Sequence, residues 1–318
     1  MTAALDTRGL GRKLAAFVTE PVAPHPLAFF RVGVALVLLA QGWMQADTLV
    51  SLFGDQGLLP WGLSEPLASP WVPRVGVLTH ALQSVGVSPS QCVTGVLVVY
   101  GVALVGLLLG WRTRASAAVA WVVHAVLLNS GALFEHGLEV FAPLSLFYCA
   151  LMPVGAALSL DKLAGRASSA PSAEATLSLR VLQLHLCLVY LSTGVEKALA
   201  PSWQDGTALW ATWMQPPLAR FDLAWLAFHP GLAKAATWGV LGIELGYAPC
   251  VWWKATRAPW VVLTLGMHLA TGLVLGLWLP SLLLSVLTFA AFGYLPFTQA
   301  LTARVQTRAM AAAYQRAP

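Results

Sequence analysis

The sequence predicts an all-α polytopic membrane protein. About eight transmembrane helices are expected, with short interfacial helices between them and both termini in the cytoplasm. Three observations predict this. Of 318 residues, 58% are hydrophobic and 10% are charged, under half of the roughly 25% charged share of a soluble domain. Mean hydropathy is +0.72. Apolar residues also collect in long Ala-, Leu-, Val- and Gly-rich runs with scattered Trp, without the alternation of a barrel strand. Disorder, collagen-like sequence, coiled coil and a water-soluble globule are excluded by the same numbers. The net charge of +5 is sorted onto one face rather than clustered, so no nucleic-acid partner is expected.

A bilayer core takes about 20 mostly apolar residues per helix, and eight runs qualify. They are Leu27–Ala46, Gln91–Trp111, Ala115–Asn129, Leu138–Val154, Leu177–Leu199, Leu232–Trp253, Pro259–Leu279 and Ser281–Leu295. The third, fourth and eighth are short. With the N-terminus inside, 14 of the 18 Lys and Arg fall on the cytoplasmic side, including those of the tight WRTR and KATR turns. Only Arg74, Lys197, Arg220 and Lys234 remain outside, as the positive-inside rule requires of an even number of spans. The expected location is the cell inner membrane, with the bilayer itself the first partner.

Residues 1–26 form a basic N-terminal segment and 298–318 a basic amphipathic tail. Thr7–Glu20 and Thr298–Tyr314 read as helices resting on the inner leaflet. Between them the transmembrane domain, 27–297, divides into halves 27–155 and 177–297. A cytoplasmic linker, 156–176, joins the halves, and its low-complexity part is Ala164–Thr176. The outer connections Asp47–Ser90 and Ala200–Gly231 are long and rich in Trp and Pro, which places any chemistry at the outer face. No cleavable signal peptide is expected, because the first apolar run is too long for one. Cys92, Cys149, Cys187 and Cys250 lie far apart in apolar runs and read as small buried hydrophobes.

Polar residues within spans are costly. Glu244 lies mid-span in the sixth run and has to be protonated or paired with a cation. His124, His185 and His268 lie mid-span in the third, fifth and seventh. No HxxxH or ExxH pair supports a metal site, so none is predicted, and interhelical hydrogen bonding is the expected role. Arg31, a few residues inside the first span, is expected to snorkel inward.

The outer end of the fifth span, VYLSTGVEKALAPSWQDG, is denser. Tyr190, Gly194 and Lys197 stand at i, i+4 and i+7 and share one stripe. Gly194 allows close approach of a helix or ligand. Lys197 is either an interfacial anchor or a partly desolvated amine able to act as a base. Glu196 beside it favours the charged amine, although it points about 100° away around the helix. His136, in the outer turn ALFEHG, is either inert or a polar partner oriented by Glu135 and Glu139. Trp203, Trp210 and Trp213 form either an aromatic belt or a ligand-stacking box.

The ordered motifs PLAFFRVGVALVLL, GDQGLLP, GWRTR, FEHGLEVFAPLSLFYCALMP, LSLD and LQLHLCLVYLSTGVEKAL, then WQDG, resemble the horizontally transferred transmembrane (HTTM) domain family. This is the membrane part of vitamin K-dependent γ-glutamyl carboxylase and of many bacterial relatives. The resemblance covers roughly residues 20–297. Its most specific piece is Tyr190, Gly194, Lys197, Trp203 and Gly206. It implies that Lys197 sits where the carboxylase has the lysine that deprotonates vitamin K hydroquinone. It also matches His136 to a loop histidine and His268 to one in a later helix, at a periplasm-facing site. The carboxylase carries two adjacent lysines where this chain has Glu196 and Lys197. About twenty residues follow the last span, with no counterpart of the carboxylase's lumenal domain, so peptide carboxylation by this sequence alone is not expected.

The function expected is that of a carboxylase- or epoxidase-like membrane enzyme acting on a reduced quinone, such as vitamin K hydroquinone, or on a lipid-like substrate. Lys197 and His136 are its catalytic pair, and Tyr190, Gly194, Trp203 and His268 bind substrate. The alternative is a non-catalytic membrane partner for maturation, export or anchoring of a secreted or redox protein.

Overall fold

The computed structural model describes residues 7–55, 57, 69, 71–131, 137–216, 218 and 220–315, without the side chains of 7, 8, 10 and 307–315. Among these residues every named element is helical, and β structure is limited to an isolated bridge between Val22 and Ser172. In chain order the helices are α1 Thr7–Thr19, α2 His25–Phe53, α3 Val75–Gln83, α4 Pro89–Leu109, α5 Thr113–Asn129, α6 Leu138–Leu151 and α7 Leu160–Leu163. They continue as α8 Ala173–Leu199, α9 Pro201–Gln204, α10 Ala208–Trp213, α11 Pro230–Trp252, α12 Lys254–Leu275, α13 Trp278–Thr288 and α14 Tyr294–Gln315. A 3-10 turn covers Ala224–Phe228, and a π-helical segment, Phe289–Gly293, joins α13 to α14.

Each of the eight apolar runs is helical, but the helices differ in reach. Five stretches are long and apolar enough to cross a membrane: His25–Phe53, Pro89–Leu109, Ala173–Leu199, Lys254–Leu275 and Trp278–Gln306. The last runs continuously through the π segment. Of the remaining runs, α5 and α6 have only 17 and 14 residues. The 23-residue α11 is long enough, but it carries Lys234 and Glu244 among its apolar residues. Val98, Val102, Val105 and Leu109 on α4 are exposed at helical spacing, as are Leu184, Leu188, Leu191 and Val195 on α8. Apolar stripes left bare along long helices are surfaces for lipid. The protein is a membrane protein set in a lipid bilayer.

The chain forms two compact units: Met1–Ser178 with Leu282–Leu284, and Leu179–Ser281 with Ser285–Pro318. In the N-terminal unit α2 packs on α4 and α6, and α5 packs on α4 and α6. Its core is Leu27, Phe30, Val34, Leu38, Leu104, Leu107, Leu138 and Leu146. Local sequence explains where α4 begins and ends. Ser88 and Gln91 form a reciprocal capping box ahead of it, and Gly110, at φ 67°, closes it in the left-handed conformation. In the C-terminal unit α11 packs on α12, and α9 and α10 lie on α11. The cysteines are free, with Cys92, Cys149 and Cys187 buried and Cys250 half-buried.

One sequence expectation changes here. Arg31 does not snorkel. Its side chain is fully buried and its Nη2 donates to the Leu158 carbonyl at 2.5 Å. A Cβ at Gly110 would collide with Arg31 Nη1 and with Ser159 Cβ, so the glycine opens the space that keeps the guanidinium in. The linker is pinned at two points. Ser172 N–H donates to the Val22 carbonyl at 3.2 Å, and the Thr176 hydroxyl donates to the Glu20 carbonyl at 2.6 Å.

Asp161 ties this end of the unit together. Its carboxylate accepts from the backbone amides of Arg112 (3.0 Å) and Thr113 (2.8 Å) and from the Thr113 hydroxyl (2.6 Å). It also pairs with Arg166 at 2.9 Å. It therefore caps α5 from a distant loop and holds Arg112 in its left-handed backbone at φ 41°. Burial by itself raises this carboxyl, but the bonds from Thr113, Arg166 and the Arg112 amide outweigh it and draw the pKa down to about 2. A carboxylate with a lowered folded pKa stabilises fully above its ordinary value of 3.8, and that contribution is lost as pH falls toward 2. Asp161→Asn is thus expected to lower the unfolding temperature in detergent at pH 7, with the gap to wild type closing as pH is taken from 4 to 2. A gap independent of pH would refute the carboxylate's role.

Candidate functional site

The site lies in the C-terminal unit, where α8 and α11 cross at Gly194. A Cβ there would stand 3.0 Å from Leu245 Cδ2, 3.2 Å from the Leu245 amide nitrogen and 3.3 Å from Glu244 Cβ. Any larger residue would press α11 outward by a few tenths of an ångström, so the glycine favours this close approach. One helical turn further along α8, Lys197 therefore reaches Glu244. Its Nζ donates to both carboxylate oxygens, at 2.5 and 2.6 Å. The lysine side chain is 28% exposed and the glutamate 8%. The carboxylate that needed a cation has found one.

Trp203 completes the outer side. Its ring centroid lies 5.3 Å from Lys197 Nζ, within cation–π range. The segment carrying it is fastened to α11. The Thr237 hydroxyl donates to the Gly206 carbonyl at 3.1 Å, and Trp238 Nε1 donates to the Gln204 carbonyl at 3.3 Å. Gly206 has φ 80°, and a Cβ there would press on the Lys234 side chain, which explains a glycine three residues after Trp203.

About two turns from Lys197 along α8, Tyr190 is buried. Its hydroxyl lies 2.5 Å from His268 Nε2 and 3.3 Å from Thr288 Oγ1. Its ring stacks on Tyr247, with centroids 4.1 Å apart. Tyr190 interacts electrostatically with Glu244, and His268 with Lys197. The cluster therefore reads Trp203, Lys197, Glu244, Tyr190, His268 in electrostatic succession. Beneath it, Gln183 Nε2 donates to the Ala291 carbonyl in the π segment at 2.6 Å, satisfying a backbone acceptor of that irregular turn. Aromatic rings, a shared acid–base pair and a buried hydroxyl can together bind a planar amphiphile and move a proton.

Of the residues singled out from the sequence, Tyr190, Gly194, Lys197, Trp203, Glu244 and His268 come together. His136, with Glu135, lies outside the described residues. His124 belongs to the N-terminal unit, where its Nδ1 is 2.7 Å from the Tyr100 hydroxyl. His185 is half-buried on α8, and Arg31 is buried in the N-terminal unit. Among the described residues no three His, Cys, Asp or Glu side chains gather as metal ligands. Tyr247, Thr288 and Gln183 were not anticipated. Tyr247 and Thr288 carry no spacing signal, and Gln183 is marked only by being a polar residue within an apolar run.

A family model described as HTTM domain matches residues 66–289, a stretch that takes in every member of this cluster. No curated protein and no solved structure matches the chain.

Breaking a buried ion pair by removing one partner strands the other, whereas replacing both is far milder. Glu244→Gln is expected to cost about 3 kcal/mol of unfolding free energy in detergent. The double change Lys197→Met with Glu244→Leu is expected to recover most of that loss. Equal losses in the single and double variants would show that packing, not the stranded ammonium, carries the effect.

Proposed function

The chain belongs to the HTTM domain family, and from that premise we propose that it is a multi-pass inner-membrane enzyme that deprotonates a reduced quinone or a similar lipid-like hydroxyl compound. The observation that carries the reading is the Lys197–Glu244 pair beneath Trp203, with both donor–acceptor distances at or below 2.6 Å. Lys197 passes one proton to the Glu244 carboxylate. The freed amine takes the proton of the substrate hydroxyl. The substrate becomes an anion and the pair is one proton richer, so charge and protons balance. The Trp203 ring offers a planar apolar surface for the substrate, and the Tyr190–His268 pair lines the deeper side. Molecular oxygen is the expected oxidant for the anion, as the resemblance to vitamin K-dependent carboxylase implies. His136 keeps its proposed role as a polar partner from the outer turn.

The topology proposed with this function has eight spans, both termini in the cytoplasm and the pair opening toward the periplasm. The bidentate bond of Lys197 favours a second reading. A lysine already saturated by a carboxylate is also a structural clamp, and that suits a non-catalytic membrane partner for a secreted or redox protein.

Purified protein in lipid, given reduced menaquinone or vitamin K hydroquinone and oxygen, is expected to form the epoxide. Lys197→Ala is expected to lower the rate by about 100-fold or more, the usual weight of a general base. Turnover equal to wild type in Lys197→Ala would defeat the enzymatic reading. Absence of turnover in wild type, with a co-purifying protein lost on Trp203→Ala, would establish the partner reading. In a cysteine-free background, Ser168→Cys is expected to label only after the inner membrane is opened and Gln204→Cys in intact cells. The reverse pattern would invert the topology.

A further inference from the structure

Away from the Lys197–Glu244 pair, the N-terminal unit holds a cavity of about 600 Å³, a size ordinary for small-molecule sites. It is lined by the α4–α5 turn and the start of α5, Arg112–Ala115, by Met152, Pro153 and Gly155, and by residues of the low-complexity segment between Arg166 and Ser172. That segment is fastened by Ser172 to Val22 and by Arg166 to Asp161.

Its electrostatics are unbalanced. Arg112, Arg114 and Arg166 line it, together with Asp161 and Glu174. Arg31, buried behind, interacts with Asp161. Four guanidiniums therefore meet two carboxylates, and two positive charges are left over. The pairing shows where they are. Asp161 is engaged by Arg166 and by the start of α5, and Glu174 is bonded by Arg114 at 2.9 Å. The Arg112 guanidinium lies over the Trp111 ring, 5.7 Å from its centroid. Arg31 leaves Nε and Nη1 without hydrogen-bond partners although it is fully buried.

We propose that this cavity binds a phosphate ester, presented either by an anionic phospholipid headgroup or by a soluble phosphate compound. Arg112 and the remaining donors of Arg114 take the phosphate oxygens, a geometry guanidinium groups favour. Arg31 and Arg166 offset Asp161 so that it does not repel the ligand. The site is independent of the Lys197–Glu244 chemistry.

The test uses the full chain in detergent, with native mass spectrometry of added phosphatidylglycerol against phosphatidylcholine, and with glycerol 3-phosphate as competitor. Phosphatidylglycerol is expected to bind in preference to phosphatidylcholine. The double variant Arg112→Gln with Arg114→Gln is expected to weaken binding about 25-fold, at about fivefold for each guanidinium (about 1 kcal/mol each). Ala167→Trp fills the cavity without changing charge and is expected to reduce binding as well, which guards against a loss caused only by misfolding of the arginine variant. Competition by glycerol 3-phosphate assigns the site to a soluble phosphate ester, and its failure to compete assigns it to a lipid. Equal binding of the two lipids in the absence of glycerol 3-phosphate binding, or unchanged binding in both variants, overturns the proposal.

Discussion

Helices bared to hydrocarbon leave polar side chains no water to fall back on, and this constraint organises both units. In the N-terminal unit it is met at Arg31. The guanidinium needs room and acceptors within the protein, so α4 ends in a glycine, Leu158 turns its carbonyl inward at φ 49°, and Asp161 comes within reach of both the cation and the start of α5. In the C-terminal unit Glu244 sets the same problem. The solution requires a lysine on a neighbouring helix and a glycine one turn before it. Charge pairing and close helix packing are thus one requirement, because the absence of a side chain at Gly194 brings the helices close enough for Lys197 to reach Glu244.

The helices were legible because their signals are local. Ser88, Pro89 and Gln91 announce α4, Gly110 ends it, and hydrophobic runs of 20 or more residues mark the long spans. A span is less clearly marked at α5, α6 and α11. Short length and interior charges weaken the apolar signal even where a helix forms. The anchoring of the linker was not legible for a related reason. Ser172 and Thr176 each make a bond to a distant residue, Val22 and Glu20, which composition does not encode.

At the site, Tyr190, Gly194, Lys197 and Trp203 could be read together because they fall within fourteen residues of one another, three of them on one stripe. Glu244 could be read as needing a cation, but not which one, since its partner is 47 positions away. His268 lies 78 positions from Tyr190, and helical periodicity says which face a residue occupies without saying which helix meets it. The three histidines show the limit well. Similar in depth along their helices, His124 and His268 end beside different tyrosines in different units.

The π segment after Thr288 has an implication for how this region tolerates change. A π turn closes each hydrogen bond one residue later than an α turn, so Phe289–Gly293 carries a surplus residue. Excising one residue there would restore a regular helix and so would be silent in secondary structure. The wide turn has already absorbed that residue, so the side chains beyond it would keep nearly the same bearing relative to Thr288. The cost of the excision would fall within the turn itself, on Phe292, whose ring meets Tyr247 and Trp252 edge-on, and on the Ala291 carbonyl that Gln183 satisfies. The π turn thus confines a change of chain length to one local contact, while the helices on either side keep their facing.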